Sequence, residues 1–106
     1  SNVNLIVVLP EQVRLFFHIA QNRSVSRAAI LNQISQSAAS QGLAELEKRL
    51  GAPLVDRSRR PLQLTAAGKL YFDYCKEAMR RWDQFEVELE KLLAESGGSV
   101  RVASIY

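Results

Sequence analysis

The sequence contains few of the residues that carry catalytic or metal chemistry. Its 106 residues include one cysteine, Cys75, and one histidine, His18. A single cysteine excludes an internal disulfide and a zinc site with several cysteine ligands, and it is typical of a reducing compartment. The chain also has no glycine-rich phosphate-binding loop and no paired-carboxylate motif. These absences predict a protein that is not an enzyme and that holds no cofactor or metal through these residues. Cys75 is then a buried or half-buried thiol, and His18 a packed or surface imidazole.

Long hydrophobic runs are also missing. No run approaches the roughly 18 apolar residues that a membrane-spanning helix needs. The apolar stretch at residues 3–9 (VNLIVVL) is too short for a membrane span and lacks the basic flank of a signal peptide. We therefore expect a cytoplasmic protein with no membrane partner. Residues 1–8 form an N-terminal extension to which the sequence assigns no role.

Charge is distributed unevenly along the chain. Residues 1–65 contain eight Lys and Arg against four Asp and Glu, a net charge of +4, whereas residues 66–106 contain six against seven, a net charge of −1. The basic part is suited to face phosphates, and the second part has the composition of a scaffold. An apolar content of 47% suffices for one modest core.

Helical periodicity and capping residues predict three short helices in the first half of the chain. The first follows Pro10 and runs to about Gln21. Ser24 caps the second helix, Ser35 caps the third, and Gly51 ends the third. One face of the third helix is apolar and is formed by Ala39, Leu43, Leu46 and Leu50. Two short helices joined by a polar turn are the pattern of a helix-turn-helix.

The outer face of the third helix is polar without being charged. It carries Gln36, Ser37, Ser40 and Gln41 close to the helix N-terminus. An ordinary solvent-exposed face would more usually carry Lys and Glu. Amides and hydroxyls can donate to and accept from base edges, and glutamine can bond adenine in a bidentate manner. The pattern therefore predicts contacts with DNA bases.

Residues 54–64 (LVDRSRRPLQL) predict a small β-hairpin with a basic tip. Arg59 and Arg60 lie at the tip and are either a solvated turn or a DNA contact, and the neighbouring helix-turn-helix favours DNA. Arg57 has two interpretations. It either contacts DNA or braces the hairpin, for example by pairing with Asp56, and the bracing role is favoured.

Thr65 caps a long helix that runs from Ala66 to about Glu95. At about 1.5 Å per residue it extends roughly 45 Å, more than a small domain needs. One chain cannot bury its apolar stripe, so we predict a homodimer through paired long helices. The alternative is a ligand surface formed by the aromatic members of the stripe. The predicted dimer-interface residues are Leu70, Tyr74, Ala78, Trp82, Phe85, Leu89 and Leu92.

These motifs together resemble the N-terminal half of bacterial LysR-type transcriptional regulators, from about residue 9 to residue 106. The resemblance is carried by Phe16 and by the ordered motifs 24–29 (SVSRAA), 34–40 (ISQSAAS), 46–51 (LEKRLG), 54–57 (LVDR) and 64–68 (LTAAG). It implies a mainly α fold, with a winged helix-turn-helix of three helices and a β-hairpin wing. The implied parts are the DNA-binding domain at 9–65, a linker and dimerisation helix at 66–95, and at 96–106 a hinge and the first strand of a truncated effector-binding domain.

The resemblance also implies a role for each part in DNA binding. The helix that begins at Ser35 enters the major groove, and the hairpin acts as a wing on the backbone or the adjoining minor groove of an interrupted inverted repeat. Ser24, Ser26 and Arg27 anchor phosphate at the start of the second helix. The full set of predicted DNA-binding residues is Ser24, Ser26, Arg27, Ser35, Gln36, Ser37, Ser40, Gln41, Arg57, Arg59 and Arg60. A small-molecule inducer is implied for the effector domain, and full-length members often form tetramers.

Four positions depart from the usual family pattern. Ser37 stands where proline is common, Gln41 where arginine is common, Gly42 where a longer polar side chain is usual, and Asn32 where leucine is common. The changes at Ser37, Gln41 and Gly42 remove one charge that would bind phosphate and predict a different base preference.

The residues leave one alternative function open. It is a winged-helix module for protein interaction and dimerisation that uses the long helix as a docking arm and has no specific DNA binding. Salt-dependent, sequence-selective affinity for DNA distinguishes the two functions. The basic hairpin and the amide-rich helix edge favour DNA binding.

Overall fold

The computed structural model describes residues 10–97 of the chain. Its elements, in order, are α1 (Glu11–Asn22), α2 (Val25–Leu31), α3 (Gln36–Leu50), β1 (Val55–Asp56), β2 (Gln63–Leu64) and α4 (Ala66–Glu95). This is a three-helix winged helix-turn-helix followed by a long helix, so the predicted fold class is confirmed. The N-terminal extension and most of the predicted hinge and strand at 96–106 lie outside the described residues.

Side-chain caps begin three of the helices at the positions that the sequence indicated. Ser24, Ser35 and Thr65 each accept, through a side-chain oxygen, the backbone N–H of the residue three positions later. Such a cap satisfies a backbone donor that has no partner inside the helix, and it stabilises by about 1 kcal/mol. Gly51 ends α3 with φ of 77°, in the left-handed region where glycine is favoured.

The core lies where α1 packs against α2, α3 and α4. Phe16 and Ile19 of α1 are completely inaccessible to solvent, and Leu43 of α3 and Leu54 after it are almost so. Small buried side chains on α2 and α3 let the helix backbones approach closely, and these are Ala28, Ala29 and Ala39.

One member of the predicted apolar face of α3 is not part of this core. Leu50 is 47% exposed, whereas Leu46 one turn earlier is buried. Arg49 Nη1 donates to Gln12 Oε1 at 2.8 Å, which places the last turn of α3 beside the first turn of α1. Leu50 belongs to the apolar face by its spacing, but at the end of α3 it remains largely in solvent.

Aromatic contacts join the first half of α4 to α1. The ring centroid of Tyr71 lies 5.3 Å from that of Phe16, and the centroid of Phe72 lies 5.9 Å from that of Phe17. Cys75, one turn further along α4, is completely buried, and burial raises the pKa of its thiol to about 12. The prediction of a buried thiol is therefore confirmed. Within residues 10–97, no helix is both long enough and apolar enough to span a bilayer.

Gly68 allows the first turn of α4 to lie directly against the backbone of Leu54. A Cβ atom at Gly68 would stand 2.0 Å from the carbonyl oxygen of Leu54, well inside any real contact. That oxygen also accepts the N–H of Thr65 at 3.0 Å, so it cannot move away without loss of the bond that joins the hairpin to α4. A side chain at position 68 therefore forces the wing and α4 apart.

His18 connects α1 to the end of α2. The side-chain Nδ2 of Asn32 donates to Nδ1 of His18 at 2.8 Å and to the carbonyl oxygen of Ala28 at 2.8 Å. With Nδ1 as acceptor, the neutral ring carries its proton on Nε2. Partial burial, and after it the nearby charge of Arg14, lowers the pKa of His18. The prediction of a packed imidazole is confirmed. Asn32, which stands where leucine is common in the family, forms a hydrogen bond with this imidazole.

We predict that Gly68→Ala lowers the free energy of unfolding by about 3 kcal/mol, because a clash with backbone cannot be relieved by a rotamer change. Gly42→Ala is the matched control, since its Cβ would meet only the flexible end of the Leu15 side chain, at 2.9 Å. The control is expected to cost about 1 kcal/mol at most. Urea unfolding measures both variants, and equal losses would contradict the role given to Gly68.

We also predict that the stability of the fold decreases in mild acid through His18. The unfolded chain protonates His18 at its ordinary pKa of 6.5, whereas the folded chain resists protonation. The contribution is therefore fully present above pH 6.5 and is lost as the pH falls below that value. Urea unfolding between about pH 7.5 and about pH 5.5 should show a shallower pH dependence in His18→Gln than in the original chain. Identical slopes in the two proteins would refute the assignment.

Candidate nucleic-acid interface

Helix α3 presents its polar edge to solvent. Gln36, Ser37, Ser40 and Gln41 are all exposed, whereas Ala39, Leu43 and Leu46 of the same helix are buried. The four exposed residues occupy the first two turns, where spacings of three and four residues place Ser40 beside Gln36 and Ser37, and Gln41 beside Ser37. Ser35 precedes them, and its hydroxyl is engaged by the N–H of residue 38 as the helix cap. The four side chains on this edge are therefore free to contact a ligand together.

The start of α2 lies next to this edge. Ser26 and Arg27 are exposed, and Ser24 is half-buried. The Ser24 hydroxyl accepts the N–H of Arg27 at 3.0 Å and lies 3.2 Å from the hydroxyl of Ser26. Ser24 therefore acts first as a helix cap, while Ser26 and Arg27 face solvent.

The hairpin loop places its three arginines in solvent, but they differ in their partners. Arg57 Nη2 lies 3.3 Å from Oε1 of Glu47, so it pairs with α3 and not with Asp56. The pair with Asp56, one example of the bracing role, is not the one found, and Arg57 braces the hairpin against α3 instead. Asp56 instead accepts the N–H of Ser58 at 3.0 Å and stands 3.9 Å from Nε of Arg59. The hydrogen bonds from Ser58 hold the pKa of Asp56 below its usual value.

Glu47 attaches the hairpin to α3, a role that sequence reasoning missed. Its Oε2 accepts the backbone N–H of Leu54 at 2.7 Å and that of Val55 at 3.4 Å, while its Oε1 faces Arg57. A signal was present in the sequence, because a carboxylate in the last turn of a helix opposes the helix dipole. A carboxylate at such a position indicates a compensating contact outside the helix.

Arg23 is a second functional residue that sequence reasoning missed. It ends α1 in the left-handed region with φ of 53°, and its Nη1 donates to Oε1 of Gln63 at 2.9 Å. The bond crosses from the corner between α1 and α2 to the returning strand of the hairpin. The only signal in the sequence was a cation directly before the capping Ser24.

An open cleft of about 370 Å³ lies between the start of α2, the start of α3 and the hairpin loop. Among the residues that the structure describes, four guanidinium groups and no carboxylate line it, so the cleft is suited to an anionic ligand. Of the predicted DNA-binding residues, Arg27, Ser35, Ser37 and Gln41 lie outside this lining. The residues that line it are Arg23, Ser24, Val25, Ser26, Gln36, Ser40, Arg57, Arg59, Arg60, Pro61 and Leu62.

The predicted dimer-interface residues of α4 differ in how exposed they are. Ala78 and Trp82 are partly buried against the core of their own domain, so part of the stripe is covered within one chain. Leu89 is half-buried. The apolar side chains left exposed on α4 are Leu70, Tyr74, Phe85, Val87 and Leu92. Val87 was absent from the predicted set because it lies off the main three-and-four spacing.

The chemistry of the described residues is that of a binding surface. Within residues 10–97, no three His, Cys, Asp or Glu side chains stand close enough together to hold a metal ion. The charged groups of the cleft are guanidinium groups. They form bidentate hydrogen bonds with phosphate oxygens and do not release a proton at neutral pH.

Comparison with known proteins shows several relatives. The family described as bacterial regulatory helix-turn-helix protein, lysR family, matches residues 10–69. The probable cat1 operon transcriptional activator of Acinetobacter lwoffii is 35% identical over 81 residues, which are 76% of this chain and 27% of that protein. The chain therefore spans less than a third of this relative.

Two solved structures share the fold. One is the BenM DBD in complex with benA site 1 DNA, with a TM-score of 0.70, 29% identity, and coverage of 78% of this chain and 92% of that chain. The other is full-length LysG from Corynebacterium glutamicum with bound effector Arg, with a TM-score of 0.74, 28% identity, and coverage of 83% of this chain and 30% of that chain. Fold, site and family match agree, and this chain belongs to the lysR family of bacterial regulatory helix-turn-helix proteins.

Proposed function

We propose that this chain is the DNA-binding and dimerisation part of a transcriptional regulator, and that it binds double-stranded DNA sequence-specifically as a homodimer. The observation that carries the proposal is the cleft in which the polar edge of α3 and the arginines of the hairpin face the same side. The similarity to the BenM DBD, whose structure was solved with DNA, supports it. We assign the DNA-binding domain to residues 9–65, the linker helix to 66–95, and a hinge and first strand of an effector domain to 96–106.

In this proposal the polar edge of α3 reads bases in the major groove. The groove is about 12 Å wide and admits one helix. Gln36 and Gln41 supply amides that donate and accept at once, and Ser37 and Ser40 supply hydroxyls for either role. The edge carries no charge, so it adds base discrimination without general attraction to phosphate.

Contacts with the DNA backbone come from both sides of the cleft. Ser26 and Arg27 contact phosphates from α2, and Arg59 and Arg60 contact them from the hairpin, which acts as the wing. The distance of 3.9 Å between Arg59 and Asp56 is that of a weak exposed ion pair, which a phosphate can replace. Arg57 is engaged by Glu47, and Ser24 and Ser35 are engaged as caps. We assign these three residues to positioning in the first place.

The exposed apolar residues of α4 form the dimer interface in this proposal. A two-fold dimer places two copies of α3 against two half-sites of an interrupted inverted repeat. The face combines Leu70, Tyr74, Phe85 and Leu92, which would otherwise remain in water. Ala78 and Trp82 support this face from the side of the domain core.

The complete regulator has functions that reach beyond these residues. The LysG structure contains an effector, Arg. By analogy we propose that the whole protein acts in the cytoplasm, binds a small-molecule inducer in an effector domain, and assembles further, to a tetramer, through that domain. In this proposal the 106 residues of this chain hold no cofactor.

We predict that two substitutions separate base reading from backbone contact. Gln41→Ala should weaken binding to the cognate inverted repeat by about tenfold and leave binding to a scrambled duplex nearly unchanged. Arg60→Ala should weaken binding to both duplexes alike and reduce the slope of log affinity against log salt by about 1. Fluorescence anisotropy with a labelled inverted repeat from the upstream region of the gene, at several salt concentrations, measures both effects.

The matched control is Lys48→Ala, which removes an exposed cation at the opposite end of α3 from the polar edge. It should change neither selectivity nor the salt slope. A dimer that binds the inverted repeat no better than the scrambled duplex would contradict the proposed function and would favour the protein-interaction module.

We predict that the double substitution Leu70→Glu with Leu92→Glu converts the dimer into monomers, because four carboxylates would be buried in the paired helices. Both side chains are more than 60% exposed in one chain, so the fold itself should be retained. Sedimentation velocity measures the oligomeric state, and circular dichroism checks the helix content. A folded variant that remains dimeric would place the interface elsewhere.

A further inference from the structure

The wing is attached to the domain at each of its strands, and the two attachments differ. The first strand is held by the carboxylate of Glu47, which accepts the N–H groups of Leu54 and Val55. The second strand is held by Gln63, which accepts from Arg23 at 2.9 Å. The first attachment fixes the wing to α3, and the second fixes it to the corner where α1 ends and α2 begins.

The hairpin needs such attachments because its own ladder is short. The ladder consists of two residue pairs, Val55 with Leu64 and Asp56 with Gln63, and the bond from Thr65 N–H to the carbonyl oxygen of Leu54 follows it at the open end. A two-stranded hairpin is marginally stable by itself. The pair nearest the loop also shapes it, since Asp56 accepts the N–H of Ser58 at 3.0 Å and Gln63 Nε2 donates to the carbonyl oxygen of Pro61 at 3.3 Å. Gln63 therefore holds the loop with one end of its amide and the domain with the other.

Arg23 is a firm anchor for this bond. It ends α1 in the left-handed region, and its backbone N–H bonds to the carbonyl oxygen of Ile19. The next residue, Ser24, caps α2. The guanidinium thus reaches the wing from a corner whose backbone is fixed on both sides. Because its partner is a neutral amide, Arg23 also keeps its full positive charge beside the cleft, whereas Arg57 is partly neutralised by Glu47.

We propose that Arg23 and Gln63 are positioning residues that set the separation between the wing and the start of α2. Held at this separation, Arg59 and Arg60 reach the DNA backbone while α3 occupies the major groove. The inference rests on the proposed DNA-binding function. In this inference the hydrogen bond between Arg23 and Gln63 raises the affinity that the wing contributes and does not change base selectivity.

The test is Gln63→Met, which keeps the length of the side chain and removes both hydrogen bonds of the amide. Gln63 is exposed, so the fold should be retained, and thermal unfolding verifies this. We expect binding to weaken by about three- to tenfold on the cognate and the scrambled duplex alike. The salt slope should fall by about 1, since wing contacts with phosphate are lost. In an Arg59→Ala, Arg60→Ala background the same substitution should have no further effect.

Arg23→Met separates positioning from direct phosphate contact. If Arg23 acts through Gln63, then Arg23→Met, Gln63→Met and the double variant bind DNA with about the same affinity. The two variants that lack Arg23 differ only by the loss of one cation. If Arg23→Met weakens binding while Gln63→Met leaves the affinity, the selectivity and the salt slope unchanged, the positioning role is wrong. The positioning role is also wrong if Gln63→Met weakens binding as much in the Arg59→Ala, Arg60→Ala background as it does in the original chain.

A measurement without DNA tests the geometry independently. Spin labels on cysteines introduced at Arg59 and at the exposed Gln21 report the distance between wing and α1, in dimers diluted with unlabelled chain. The native Cys75 is completely buried and should not react. The distance distribution should broaden in Gln63→Met, and an unchanged distribution would refute the inference. If the original chain shows no selective DNA binding, the proposed function fails, and that result is seen before any variant is compared.

Discussion

The carboxylate of Glu47 is the contact on which the arrangement of the binding surface depends. It joins the helix with the polar edge to the strand that leads into the arginine loop, through two backbone N–H groups and Arg57. Loss of this carboxylate would leave the partly buried N–H of Leu54 without a partner, at a cost of about 1–3 kcal/mol. Hairpin and helix are held together in this way, so the polar edge of α3 and the arginine loop, which we propose as the base-reading and backbone-contacting parts, can meet one DNA duplex at the same time.

A second constraint connects this surface to the long helix. Thr65 caps α4 and also donates its backbone N–H to the carbonyl oxygen of Leu54, the residue whose own N–H bonds to Glu47. Gly68 lets the first turn of α4 lie against the same backbone. The direction of α4 is therefore fixed relative to α3 within a few residues. In a dimer built through α4, this fixed direction sets the spacing between the two copies of α3, and so the spacing of the half-sites.

Local features of this fold could be predicted from the sequence, and contacts between distant residues could not. Ser24, Ser35 and Thr65 are predictable as caps because a cap bond spans only four consecutive residues. The bond between Arg23 and Gln63 spans 40 positions, and no periodicity reports it. The partner of Arg57 was missed for the same reason. Periodicity found the apolar stripe of α4, but it does not say which chain covers each residue, so the packing of Trp82 in its own domain emerged only from the structure.

The central claim is that α3 and the wing contact one duplex together. The most direct test combines hydroxyl-radical footprinting with base-interference mapping of the dimer on an inverted repeat from the upstream region of the gene. We expect interference by major-groove modifications in both half-sites, with backbone protection beside each of them that is lost in Arg60→Ala. Backbone protection without major-groove interference in either half-site would contradict it.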